Sequence, residues 1–453
     1  MASKQLLTRL TSTLPAVRAA RVLAVTLILL AAATMALAQV GSLYFREVEK
    51  DGRIYVFNTS DRYNEWQRSG EMGTSITLVG RGPNGETLIG ENETAVDLYL
   101  FKHNLPAYER PTPPPPAPAP PTFPQVKVGT TLYLSFQDGQ TAGTDYRKFV
   151  VKRGYLDVTG KLTPTLAFRL TPDVTQEATG DYKLRLKYGY GVVATTRLGF
   201  ITKPFVEFGM VHTPYIDFEE KINAYRMQDT IFIERVGTLS SADLGVMVGG
   251  LLGGELSAVA QKASSSNTPG RWGSFAIGAY NGGGYNGVET NLNKSIEGRL
   301  SIRPLPDFVP GLQLTYFGVR GKGNTAAEPD WSVSQGTVSY ESPDLNAVAS
   351  YLTGKGNGAG SAIDSATKEA LDREGWSVFA EGKLSSSWSL IARYDDFTPD
   401  TRVTDVKSKR TIVGVCYHLA KGYDLLLDHD EVEYVGTTKP NDRRVQMTFG
   451  IKF

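Results

Sequence analysis

The sequence has little of what most chemistry needs. Cys416 is its only cysteine, so no intramolecular disulfide can form and no CxxC or four-cysteine metal site exists. Histidine is scarce: His103, His212, His418 and His429 are all there is. Neither a Gly-x-Ser-x-Gly elbow nor an HExxH pair is present. Asp428-His429-Asp430 would alternate across a strand, so its side chains cannot converge on one substrate. Gly354 to Gly360 is glycine-rich but lacks the Lys-Ser/Thr ending of a phosphate-binding loop, and reads as a connection. Cys416 and His418 would share a strand face, but a metal pair there needs further ligands. The expectation is a protein that is not an enzyme and holds no cofactor.

A charge surplus is missing too. Lys plus Arg number 48 against 47 Asp plus Glu, a formal net charge of +1. A general nucleic-acid binder carries a basic excess, so no nucleic-acid partner is expected. Beyond the amino terminus no stretch approaches about 18 consecutive apolar residues, so no transmembrane helix is expected there.

The amino terminus is different. Lys4, Arg9, Arg18 and Arg21 precede the apolar run Val22 to Met35, and Ala36-Leu37-Ala38 follows. This is the pattern of a secretory signal, residues 1–38, cleaved after Ala38; an uncleaved anchor is the alternative. An exported chain without transmembrane helices stays soluble or spans a membrane as a barrel.

Residues 41–107 read as a small ββββα module. Leu43–Val48 and Arg53–Phe57 flank Lys50-Asp51-Gly52, and Ser75–Val79 and Glu86–Ile89 flank Gly82-Pro83-Asn84-Gly85. Thr94 is placed to cap a helix running to about Asn104. Residues 108–125 are rich in proline, including Pro113 to Pro116, and read as a stiff extended spacer.

From residue 126 to Phe453 the texture is uniform. Leu184 and Leu186 alternate with Lys183, Arg185 and Lys187; Ile296, Leu300 and Ile302 with Glu297, Arg299 and Arg303; Val445, Met447 and Phe449 with Gln446 and Thr448. Alternation at period two is the strand signal. A soluble sandwich would bury the apolar face, whereas a membrane barrel turns it to lipid. The ionic polar faces and the aromatics near strand ends (Tyr188, Phe200, Tyr316, Trp388, Tyr394) favour an antiparallel transmembrane β-barrel of about 16 strands. Gly354–Ser365 and Ala263–Gly270 fit its longer extracellular loops.

In that barrel the ionic face lines the lumen. The inward cations are Arg169, Lys183, Arg185, Lys187, Arg197, Arg299, Arg303, Lys383, Arg393 and Lys452; the assignable acids are Glu297, Glu381 and Asp395. Bases and acids balance from residue 126 onward, so a cationic interior would be a matter of placement, with more acids in turns and loops. Basic rings select anions. Lumen ladders of both signs, serving only solvation and pairing, are the alternative.

The ordered series Phe149–Leu162, Phe168–Asp173, Lys183–Tyr188, Arg197–Phe205, Ser241–Val246 and Ala279–Asn286 resembles the family of phosphate-selective porins O and P. The resemblance runs from about residue 126 to Phe453 and leaves out the module and its spacer. It implies a 16-stranded outer-membrane barrel in contact with outer-membrane lipid, a homotrimer, and passage of small anions such as phosphate or polyphosphate. Terminal Phe453 resembles the assembly signal of such barrels. The module is then periplasmic, where it could meet cell wall or a periplasmic partner. A general or sugar-type porin without anion selectivity fits the same pattern.

Overall fold

The computed structural model describes residues 44–108, 122–177 and 179–453. The expected signal and most of the proline-rich spacer lie outside the described residues. The described residues fall into two compact units, one before and one after the proline-rich spacer.

In the first unit, β1 (Arg46–Lys50), β2 (Arg53–Phe57), β3 (Ile76–Leu78) and β4 (Thr87–Gly90) form a sheet in the order β1-β2-β4-β3, with β2 and β4 parallel. Two helices accompany it, α1 (Ser60–Ser69) and α2 (Glu93–Lys102). The sequence reading lacked α1, because only Trp66 is buried in it and no apolar stripe marks it. Asn92, not Thr94, caps α2, its Oδ1 accepting from the Ala95 amide at 2.9 Å. Ala95, Val96, Tyr99 and Leu100 of α2 complete a core with Val56 and Leu88.

The second unit is one closed sheet. Its strands are β5 (Gln125–Thr141), β6 (Thr144–Lys161), β7 (Leu166–Gln176), β8 (Tyr182–Ala194), β9 (Arg197–Leu198), β10 (Ile201–His212), β11 (Ala242–Leu252), β12 (Gly273–Tyr280), β13 (Ser295–Ile302), β14 (Leu312–Lys322), β15 (Asp330–Glu341), β16 (Leu345–Lys355), β17 (Asp372–Lys383), β18 (Trp388–Thr398), β19 (Lys407–Ala420), β20 (Tyr423–Val435) and β21 (Asp442–Lys452). Neighbours pair antiparallel, and β21 closes the barrel on β5. The two-residue β9 belongs to a turn, which leaves sixteen long strands in the wall.

An even strand count brings both ends of the sheet to one rim. Tight turns such as 342–344 and 421–422 sit at that rim, and the long connections 213–241, 281–294 and 356–371 sit at the other. Connection 213–241 contains two short helices, α3 (Ile216–Glu220) and α4 (Phe232–Arg235). Connection 253–272, with α5 (Ala258–Ser264), lies at the terminal rim, because β11 runs back toward it. Ala263–Gly270 therefore does not join the long loops opposite, as its composition had suggested.

Burial decides between sandwich and barrel. On β21, Val445 and Met447 are 49% and 48% exposed, while Gln446 and Thr448 are at 0%. Polar inside and apolar outside is the inverse of a soluble core; it is the arrangement of an outer-membrane barrel facing lipid. Trp388, the first residue of β18, stacks on Tyr417 at 4.6 Å near the terminal rim, whereas Tyr394, 5.1 Å from Trp376, and Tyr316 lie mid-strand rather than at a strand end. Tyr188 does not face outward. A register shift between Thr171 and Pro172 places an extra residue in β8, so Lys187 and Tyr188 both turn inward.

Candidate functional site: the bore and its crossing loop

Connection 213–241 folds into the barrel. Its residues Tyr215, Ile216, Ile231, Phe232, Ile233 and Leu239 pack on Phe317, Val319, Trp331, Val333, Leu352 and Phe397 of the inner wall. Tyr225 and Met227 pack on Tyr133, Phe379, Ile391, Cys416 and Leu426. The inner face of β14 to β20 is thus partly apolar, and the loop is what shields it from water.

Polar tethers fix the same segment. Tyr215 Oη meets Thr337 Oγ1 at 2.7 Å, and Tyr225 Oη donates to Glu381 Oε1 at 2.8 Å. Arg299 Nε donates to the Pro214 carbonyl at 3.0 Å, Arg393 Nη1 to that of Thr230 at 2.6 Å, and Lys152 Nζ to that of Met227 at 2.6 Å. Asp229 receives Arg410 at 3.0 Å and Arg444 at 2.9 Å, and also pairs with Arg235. Burial works to raise the Asp229 carboxyl, but Arg410 and Arg444 outweigh it and hold the group well below the usual range. The loop is therefore moored to β6, β13, β15, β17, β18, β19 and β21.

The opposite wall, β6 to β8, is cationic. Lys152, Arg153, Arg169, Arg185 and Lys187 face inward there, with Lys183 near the loop-side rim. The loop presents Glu220 and Glu234, which share Arg226. Burial raises Glu220. It opposes ionisation of Glu234 as well, but Arg226 and Lys187 hold that carboxyl below its ordinary value. Acids on the loop facing bases on the wall set up a transverse field across the bore.

The expected site residues fall into three groups. Arg169, Lys183, Arg185 and Lys187 line the bore, each with a partner: Arg169 pairs with Asp157 at 2.7 Å, Lys183 with Glu177 at 2.5 Å and Arg185 with Asp173 at 2.8 Å. Lys187 donates to Tyr155 Oη at 2.7 Å. Aromatic rings cover the cations: Arg169 lies 4.3 Å from the Tyr188 centroid and Arg185 4.9 Å from that of Tyr285. Arg299 and Arg393 face inward but moor the loop. Arg197 and Arg303 do not line the bore. Arg197 sits exposed in the turn with β9, its Nε donating to the Gly199 carbonyl at 2.9 Å. Arg303, just past β13, is buried and holds terminal-rim connections through the Pro310 and Gly270 carbonyls at 2.6 and 2.7 Å. The acids also differ from expectation, because Asp157, Asp173, Asp428 and Asp430 all sit on the inner wall rather than in connections. Phe453 is 73% exposed, and its main chain pairs with Thr130.

Ser389 Oγ lies 2.9 Å from His418 Nε2, and His418 Nδ1 lies 2.6 Å from Asp424 Oδ1. Ser389 is fully buried and also hydrogen-bonds Glu381 at 3.1 Å, so its hydroxyl is not presented to the bore. The chain continues through Glu381 to Tyr225 and serves to hold the loop. Cys416 Sγ is 4.0 Å from His418 Nδ1 but sits buried in the apolar cluster under Tyr225.

Sequence reasoning missed the crossing loop. Its signals were Ile231-Phe232-Ile233 inside a long connection, and apolar residues in the inward register, such as Phe317, Val319, Trp331 and Val333.

No family model matches this chain, and no curated protein matches it. Solved structures do. The chain is similar to an anion-selective porin from Comamonas acidovorans, with 10% identity and a TM-score of 0.51 over 73% of this chain and 100% of that one. It is also similar to OmpF of Salmonella typhi, solved in complex with daunomycin, with 10% identity and a TM-score of 0.51 over 72% of this chain and 97% of that one. These likenesses show the fold alone: the second unit is a porin-type β-barrel.

Proposed function

We propose that the protein is an outer-membrane porin through which small solutes diffuse passively, with a preference for small anions, phosphate or polyphosphate among them. One observation carries the reading: Arg153, Arg169, Arg185 and Lys187 converge on one stretch of inner wall, β6 to β8, apart from the apolar face that the loop packs against. A low-dielectric wall focuses their field. Barrel termini in the periplasm would put the module of residues 41–107 there, free to meet cell wall or a partner. A homotrimer in outer-membrane lipid, with Phe453 as its assembly signal, fits the same reading.

A second reading has its own support. Asp157 and Asp173 pair with Arg169 and Arg185, which suits a general or sugar-type porin without anion selectivity. Reversal potential in a salt gradient across a planar bilayer tests the two, followed by phosphate block of the chloride current. An anion-directed potential with phosphate block is expected; a cation-directed potential overturns the anion reading. A purified barrel without conductance would instead favour an anchor for the module.

A further inference from the structure

A cavity of about 210 Å³ opens between the crossing loop and the wall at the rim opposite the termini. Thr213 and Ser240 line it from the loop, Asp243 from β11, Glu297 from β13 and Trp331 from β15, with Gly282 to Gly284 closing one side. Glu297 is 1% exposed, and its Oε2 has no hydrogen-bond partner among the described residues. Trp331 Nε1, also buried, has none either. Asp243 is committed, accepting from the amides of Gly282 at 2.6 Å and Leu244 at 2.7 Å. No lysine or arginine is among the lining residues, and the charged group that acts on Glu297 is Asp243, of the same sign.

Glu297 therefore has no counter-charge in this cavity, and a carboxylate kept ionised there needs a cation beside it. We propose that this cavity is a binding site for a hard divalent cation of the Ca²⁺ type, with Glu297 as its direct ligand. The donors are oxygens from carboxylates and hydroxyls, without sulfur or imidazole, which suits Ca²⁺ rather than a soft transition metal. The volume is enough for several waters and so for a partly hydrated ion. The Thr213 and Ser240 hydroxyls would accept hydrogen bonds from its water shell. Bound there, the cation would staple connection 213–241 to connection 281–294. The inference stands apart from the question of what permeates the bore.

The test uses the full chain folded in detergent micelles. Tb³⁺ luminescence excited through tryptophan reports on the site, because Trp331 lines it, and CaCl₂ competes. Ca²⁺ should raise the unfolding temperature of the wild type, and Glu297→Gln should weaken Ca²⁺ binding at least about tenfold. Equal Ca²⁺ stabilisation of wild type and Glu297→Gln overturns the proposal. So does a wild type indifferent to millimolar Ca²⁺. Should Glu297→Gln fail to assemble, Trp331→Phe decides. Loss of Tb³⁺ emission with the Ca²⁺ thermal shift retained supports the site; unchanged emission overturns it.

Discussion

Arg393 on the barrel wall donates from Nη1 to the main-chain carbonyl of Thr230 at 2.6 Å, while its Nε and Nη2 hold Asp395 at 2.9 and 2.7 Å. Thr230 directly precedes the apolar Ile231-Phe232-Ile233 that seats the loop. Arg393→Ala would free this end of the loop and strand a buried carboxylate, a change that costs about 3–5 kcal/mol when a buried pair is broken. Single-channel recordings should show larger and noisier conductance, and urea unfolding a lower midpoint. Unchanged values in both would mean that apolar packing alone holds the loop.

Lys187 and Arg185 belong to the bore, and Arg197 does not. Lys187→Gln and Arg185→Gln should each lower the anion-to-cation permeability ratio by about twofold or more, through loss of a focused charge. Arg197→Gln should leave the ratio unchanged. Reversal potentials in a salt gradient check all three, and an equal effect from Arg197→Gln would contradict the assigned wall.

Glu219 in the crossing loop adds a pH dependence. Burial pushes its carboxyl up from 4.5 to about 7. A raised carboxyl stabilises the folded loop where it is protonated. That contribution is full below about pH 4.5, is lost as pH rises through about 7, and amounts to at most about 3 kcal/mol. Hydrogen exchange of the loop amides, corrected for intrinsic rates, should show weaker protection at about pH 8 than at about pH 5. Glu219→Gln should flatten the difference; a wild type whose protection grows toward alkaline pH would reverse the assigned sign.

Register is testable with one outward residue. Leu300 is 44% exposed on the outside of β13, beside inward Arg299 at 7%. Leu300→Lys should destabilise the membrane-inserted barrel by about 2–4 kcal/mol if it lies near the bilayer midplane. Folding yield into lipid vesicles measures this. Wild-type yield would place Leu300 in water and shift the strand by one residue.

The barrel and the polarity of its two faces were legible in local order. Side chains on a strand alternate between its faces, so Ile296, Leu300 and Ile302 against Glu297, Arg299 and Ser301 already define an outside and an inside. The expected strand number followed from chain length, because an antiparallel pair uses a roughly constant stretch of sequence. Where local order broke, the reading broke with it. The bulge before Tyr188 reversed the parity of one aromatic, and the polar α1 carried no stripe to find.

The bore itself was not legible. Which cations stand in it and which merely hold the structure depends on what lies across from them, often far away in sequence. Arg299, Arg303 and Arg393 share the alternation of Arg185, yet two of them moor a loop and one clamps turns. Charge placement followed the same rule, since Asp157 and Asp173 meet Arg169 and Arg185 only when β6, β7 and β8 pair. Period-two patterning is a property of a strand alone, and it sorts residues into lipid-facing and lumen-facing sets. Pairing, mooring and the open path are contacts between distant segments, and they exist only once the sheet closes and the loop folds inside it.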